Sequence, residues 1–521
     1  MRLGLIAIIV TLCTVAFAED TATLKVRVFD EAGKSVAFRA YVLCSPPPVF
    51  SMPQNVVTYR KKSTSLEEHI IVDGVLSCTV PAGGITLRVE RGLEYKISCQ
   101  LVPAIAGETV ERDITLKRWA DPNAEGWYSG DMHIHRDPSQ LALICRAEDL
   151  NAGVNIGYWN DIDEFAKRNL PAPASAIEVV DERLALGVAG QEVERLKNGW
   201  GAILFVGNFK PVSAPDHVIY PIVTQYAREV RAQGGFIDIE KPVWLHTPVC
   251  AALGLVDSIG VVHNHFHRDG FLPFDVIEDC MIPPLSLTPT PLEAAEFTLE
   301  LYYHLLNCGF RIPVSGGSAS GVMPSQVGFA RTYAHIDGPF SFEAWLAAIK
   351  AGKSFATNAP LLNLTADGKP IGETLTLVNV QQTLSVHCEA RTAPRGLRPT
   401  LAVLEIVHNG NVIARVDSER GAENLTIDQE FSLGPGWVAA RCFTHESPTQ
   451  LYAQTSPIYL THEGKRGLQP ESGAFYKAIV EKLIAQVEAD GAVPDAYQRE
   501  EMLVDLRKAL AVYQAVVDSK E

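Results

Sequence analysis

The sequence predicts a multidomain chain, α/β in its middle and all-β on either side, with a helical hairpin at the end. Three observations predict this. Short runs alternating apolar and polar residues recur at both flanks. The middle alternates wholly apolar strand-like runs with helix-like stretches, and the last segment has helical periodicity. A length of 521 residues leaves room for three or four domains.

Residues 1–18 read as an export signal: Arg2 starts it, Leu3 to Phe17 is almost wholly apolar, and Ala16-Phe17-Ala18 suits cleavage. An exported protein, periplasmic or extracellular, is the expectation. The segment 19–118 is expected to be a β-sandwich. Thr23-Leu24-Lys25-Val26-Arg27-Val28 and Ile85-Thr86-Leu87-Arg88-Val89-Glu90 alternate at period two, Tyr95–Ser98 is a shorter run, and Val110–Leu116 closes the unit.

In 119–362, helix-like Tyr220–Gln233 and Pro291–Leu306 alternate with apolar Ala202–Val206 and Ser258–Val262. Such alternation points to an α/β sheet or barrel. Over 363–464 the β signature returns in Leu375–Val380, Leu384–Ala390, Ala402–His408, Gly436–Phe443 and Gln454–Leu460, with Asn409-Gly410-Asn411 as a hairpin turn. In 465–521, Ala474–Ala489 and Ala496–Val517 read as two helices broken at Gly491-Ala492-Val493-Pro494.

Composition narrows the function. With 45 Lys plus Arg against 61 Asp plus Glu, the net charge is −16. A broad nucleic-acid surface needs clustered positive charge, so that class is excluded. No run after the export signal reaches 18 apolar residues, so no membrane span is expected after cleavage. Ten cysteines without a CxxC spacing exclude a thiolate zinc site, and Cys388 with Cys442 is the most plausible disulfide pair.

Nine of the 14 histidines fall in 119–362, which places the chemistry there. In Gly130-Asp131-Met132-His133-Ile134-His135, residues two apart share a strand face, so His133 and His135 project together as a metal-ligand pair. Asp131 shares that face and could ligate or orient a ring. His263-Asn264-His265-Phe266-His267 follows the apolar strand Ser258–Val262, where α/β enzymes carry catalytic groups. Glu192 and Glu194, the acidic run at Asp161, and Glu240 beside Lys241 offer carboxylates and an ammonium. Gly316-Gly317-Ser318-Ala319-Ser320-Gly321 lacks a P-loop lysine and reads as a tight turn.

The order Gly130-Asp131-x-His133-x-His135, then Gly190-Gln191-Glu192, then the glycine–serine loop resembles the PHP (polymerase and histidinol phosphatase) superfamily, in its secreted carbaryl-hydrolase-like branch. Ala351-Gly352-Lys353-Ser354-Phe355 and Thr357-Asn358-Ala359-Pro360 resemble that branch's exit from its catalytic domain. The resemblance covers about 125–375 and implies a distorted (β/α)7 barrel, flanked here by the two sandwiches. It also implies hydrolysis of phosphate esters, or related esters and amides, by water activated on divalent metal. His133 and His135 match its first ligand pair and Glu192 its bridging carboxylate. Where the family has Asp-His, His-Pro and Gly-Ser-Asp-x-His, this chain has Asn160-Asp161, Lys241-Pro242 and Gly317-Ser318-Ala319-Ser320. The expectation is therefore one or two ions (Zn, Mn or Fe) held by His133, His135, Glu192, His263 and His265. Asp161 or Asp131 would handle the proton, and Lys241 would occupy charge space that a second cation fills elsewhere. The substrate expected is a small-molecule or carbohydrate-linked ester. The competing expectation is a decayed barrel that binds carbohydrate or the cell envelope.

Overall fold

The computed structural model describes residues 20–51, 56–59, 69–195, 199–207, 209–214, 219–268, 270–273, 280–282, 289–394, 396, 399–445, 447–489, 491 and 493–520. The expected export signal lies outside them. The protein is mixed α/β with β-rich regions before and after its middle, and the alternation patterns set its strands. In Thr21–Phe29 the apolar residues Ala22, Leu24, Val26 and Val28 all point inward. Thr21–Phe29 pairs with Val75–Pro81 and Thr109–Thr115, and a second sheet is built on Phe38–Leu43, Gly83–Glu90 and Ser98–Ala104. One apolar core lies between these two sheets. The run at Tyr95 is not a strand: Tyr95 makes an isolated bridge to Arg118, and the strand begins at Ser98.

Seven strands follow one another side by side in the middle of the chain: Trp127–Ile134, Ala152–Trp159, Ala185–Arg195, Gly201–Val206, Phe236–Ile239, Ser258–Val262 and Val314–Gly316. The chain leaving the last strand returns to the first, where the Ala319 N–H donates to the His133 carbonyl (2.7 Å) and the His135 N–H to the Ser320 carbonyl (2.8 Å). Helices Pro138–Ala147, Val223–Ala232 and Pro291–Asn307 lie between strands, the last opened by a capping box of Thr290 and Glu293. The expected strand–helix alternation is interrupted at one place. Gly201–Val206 runs antiparallel to Ala185–Arg195 and to Phe236–Ile239, whereas those two strands pair in parallel with Ala152–Trp159 and Ser258–Val262 on their other sides.

The second β region does not begin at a clean boundary near 363. Ser354–Thr357 pairs with Arg331–His335 on one edge and with Tyr452–Thr455 on the other, so the middle sheet runs on into the second sandwich. Leu361–Ala366, Gln382–Arg391 and Asn424–Leu433 form the facing sheet over a shared core. Asn409 (φ 50°) and Gly410 (φ 85°) make the tight turn between Leu401–His408 and Asn411–Ala422. Cys388 and Cys442 lie in strands of the two facing sheets, and both are buried free thiols rather than a disulfide.

Helices Pro470–Glu488 and Ala496–Val517 pack as a hairpin. Tyr476, Val480, Leu483 and Val487 from one and Leu506, Ala509 and Tyr513 from the other join the same core as Ile259, Leu299 and Leu301 of the middle region. Tyr513 donates to the Pro248 carbonyl (2.7 Å), and Arg228 grips Asp505 through two bonds of 2.7 and 2.6 Å. The hairpin is thus a wall of the central unit. Leu506→Ala is expected to lower the stability of the whole central unit by about 2–5 kcal/mol. Chemical denaturation followed by tryptophan fluorescence and by far-UV dichroism should give one shared, lowered midpoint; a separate early transition of the hairpin alone would contradict this packing.

Candidate metal centre

The first central strand ends in buried residues, and its register against Ala152–Trp159 slips between Asp131 and Ile134. Such a bulge re-aims side chains, and here it parts Asp131 from the two histidines. The Asp131 carboxylate turns to the loop that follows Val314–Gly316. It accepts the backbone N–H of His133 (3.0 Å), of Ser318 (3.0 Å) and of Gly328 (2.7 Å), and the Ser318 hydroxyl (2.5 Å). Burial raises its pKa against the pull of these bonds. Asp131 is therefore a positioning group. Its loop passes so near that a Cβ on Gly317 would lie 2.6 Å from the His133 Cβ.

His133 and His135 face each other with their Nε2 atoms 2.8 Å apart. Glu192 places Oε2 3.1 Å from His135 Nε2 and 3.5 Å from His133 Nε2. Glu192 reaches them because its strand pairs on both sides, Glu192 lying opposite Trp159 and Leu204 in register. The three ligand atoms lie within 4.8 Å of one another, and the group could hold a metal ion. Tetrahedral zinc with bonds of 2.0–2.1 Å keeps its ligands about 3.3 Å apart, so small shifts suffice. On the far side of the ring, His133 Nδ1 lies 3.1 Å from Glu240 Oε2. A carboxylate there holds the proton on Nδ1 and turns the Nε2 lone pair toward the ligand position. Donor chemistry and geometry both fit a divalent cation.

The electrostatics of the trio are lopsided. Burial by itself would lower the His133 pKa, but Glu192 and Glu240 outweigh it and raise the group to about 10. Burial lowers His135, which Glu192 only partly offsets. Burial would raise Glu192, yet His133 and His135 bring it down to about 2. Glu194, two residues on along the strand, receives the Trp159 Nε1–H at 3.1 Å. Burial, with the charges of Glu192 and Glu240, pushes it up to about 8.

The other expected site residues stand outside this trio. The strand ends at Val262, and a turn closed from the Phe266 N–H to the His263 carbonyl (3.1 Å) follows, so period-two projection stops there. His263 Nε2 meets the Thr298 hydroxyl (3.2 Å), and His265 Nδ1 meets the Leu272 carbonyl (2.8 Å). Neither belongs to the group formed by His133, His135 and Glu192. Asn160 takes a positive φ of 51° and turns the next residue outward. Asp161 is exposed, accepting the Ala214 N–H (2.6 Å) and the Ser213 hydroxyl (3.2 Å). Lys241 is buried with its ammonium 2.6 Å from Glu240 Oε1 and 4.6 Å from the centre of the Trp244 ring, so it acts on Glu240. Glu240, one carboxylate among several in the sequence, takes the central orienting role. Its sequence signals are its place just past the strand Phe236–Ile239 and its neighbour Lys241.

No protein-family profile and no curated protein matches this chain. Among the described residues, no helix is long and apolar enough to cross a membrane.

In the metal-free protein the His133 imidazole should stay protonated at pH 8 while His135 is neutral, as ring ¹⁵N shifts would show. With the folded pKa above the unfolded value of about 6.5, the proton binds the folded state more tightly. Its stabilisation is full below pH 6.5 and drains away as pH rises through about 10. A neutral His133 ring at pH 8 would contradict the arrangement.

Proposed function

We propose that the seven-strand unit is a distorted (β/α)7 barrel of the PHP type and that the protein is an exported metal-dependent hydrolase. Its substrate would be a phosphate ester or a related ester or amide. The observation that carries this reading is the convergence of His133, His135 and Glu192, with Glu240 on the outer nitrogen of His133. His133, His135 and Glu192 would hold the ion. A divalent cation, when bound, supplies Lewis acidity that brings the pKa of water from 15.7 to about 7.

The rest of the chemistry falls to the protein's own groups. Glu240 keeps the proton on His133 Nδ1, and Lys241 neutralises the outer oxygen of Glu240. Glu194 stands beside the trio with one oxygen on Trp159 Nε1, and at neutral pH its carboxyl holds a proton. That proton suits a leaving group, which makes Glu194 the general acid of this reading in place of Asp161. Asp131 and Gly317 set the position of the His133 backbone.

One observation favours the second reading, a binding protein on a decayed barrel. At two positions where the resemblance expects further ligands, the chain offers none to the centre. The Asn160 Oδ1 accepts from the Glu194 N–H (2.8 Å), and the side chain of Ala319 carries no ligand atom.

Purified protein supplied with Zn, Mn and Fe should retain about one ion per chain, and His135→Ala should abolish both retention and turnover of generic phosphoester and carboxylester substrates. Metal below about 0.1 ion per chain, or full turnover in a metal-free His135→Ala variant, would refute the hydrolase. Glycan retention without metal or turnover would select the second reading.

Activity should also fall with rising pH as Glu194 loses its proton. The midpoint should lie below about 8, because a cation on Glu192 relieves the repulsion that raises it. Glu194→Gln should remove that limb and lower kcat by about 10²–10⁴ with metal content unchanged; a variant keeping the same limb would assign the proton to another group.

A further inference from the structure

Beside the metal centre, strand pairing stops before the strand does. Ala152–Trp159 accompanies Ala185–Arg195 only as far as Trp159 opposite Glu192, and Asn160 then turns away with a φ of 51°. Beyond that point Val193, Glu194 and Arg195 have strand partners on one side alone, namely Ile203, Ala202 and Gly201. In an antiparallel pair the N–H and C=O of one residue point to the same side. Those of Glu194 point to the open side, where a buried backbone group still needs a partner.

Two side chains stand in for the missing strand. Asn160 donates its N–H to the Glu192 carbonyl (2.8 Å), and its Oδ1 accepts the Glu194 N–H (2.8 Å) and an Arg195 Nη1–H (3.0 Å). Arg195 Nη1 donates also to the Glu194 carbonyl (3.1 Å), and Nη2 donates to the Tyr226 hydroxyl (3.0 Å). Both polar groups of the Glu194 backbone are thus held by one Asn–Arg pair.

Arg195 is 1% exposed and Asn160 7%. Among the described residues the guanidinium bonds only neutral oxygens, whereas a cation so deeply buried is usually paired with a carboxylate. What the arrangement gains is geometry. A planar fork with donors in fixed directions bridges three oxygens at once, which an ammonium on a flexible stem does poorly. The carboxyl at the end of the clamped residue is the one that meets Trp159 Nε1 (3.1 Å).

We propose that Arg195, together with Asn160, is a positioning residue that holds the Glu194 carboxyl at Trp159 beside the metal centre. The use of that position in proton transfer rests on the reading of Glu194 as the general acid.

Arg195→Lys keeps the charge and removes the fork. In the metal-free full chain it should move the Trp159 indole N–H resonance, assigned with Trp159→Phe, toward its position in Glu194→Ala, where the acceptor is gone. That readout needs no turnover. In the metal-loaded chain, with phenyl phosphate and phenyl acetate as substrates, kcat should fall about 10–100-fold with KM within about twofold and metal content unchanged. In a Glu194→Gln background the same change should cost less than about twofold, because effects that pass through one group do not add. Asn160→Gly tolerates the positive φ, removes Oδ1 and should shift the indole likewise; it carries the test should Arg195→Lys not fold. An unmoved indole resonance in the folded variants, or an undiminished loss of kcat in the Glu194→Gln background, would overturn the proposal. A moved resonance in a parent without turnover would support the clamp and sink only the hydrolase.

Discussion

Four hydrogen bonds end on the buried carboxylate of Asp131, and the arrangement of the centre depends on them. Three of the four come from the segment Ser318–Gly328 and one from the His133 backbone. The same carboxylate therefore fixes the strand that carries the histidines and the loop that brings the seventh strand back to the first. A charge so deeply buried is tolerable only when its lone pairs are filled, and among the described residues these donors fill them. Because the bulge sends Asp131 outward to the loop, His133 and His135 are left facing Glu192.

Around the trio the contest is between desolvation and attraction. His133 lies between two carboxylates and wins a proton despite burial, whereas His135, with Glu192 alone close by, does not. Glu240 is shared by His133 and Lys241, so its charge is used twice. Buried ion pairs of this kind seldom add stability over well-packed apolar residues. Their cost makes better sense as preparation of a site than as a fold-stabilising device. The carboxyl of Glu194, held half-buried beside them, belongs to the same electrostatic neighbourhood.

The fold was largely legible in the pattern of apolar residues. Ser258–Val262, Pro291–Asn307 and the two terminal helices fall within a residue or a few of where their periodicity puts them. Legibility failed where long-range pairing decides. Ser354–Thr357 reads as a domain exit yet zips two units into one sheet. Cys388 and Cys442 sit in strands of facing sheets without bonding, which no spacing in the chain discloses. In the site, the His133 and His135 pair was visible because two residues of one strand end need only local geometry. Glu192 was visible through its motif. His263, His265 and Asp161 stand outside the trio because the period-two rule ceases at the last residue of a strand, and a turn follows each strand end.

The amino-acid order alone determined which segments pair as strands or coil as helices, since those depend on side-chain periodicity within reach of a few residues. It also determined that two imidazoles and a carboxylate with metal-binding chemistry exist at strand ends. Only the tertiary structure decided which of the chain's carboxylates meets His133 from behind, and which carboxyl is pressed into holding a proton. Those outcomes depend on the distance and dielectric between residues far apart in sequence, and such quantities are set only when the core excludes water.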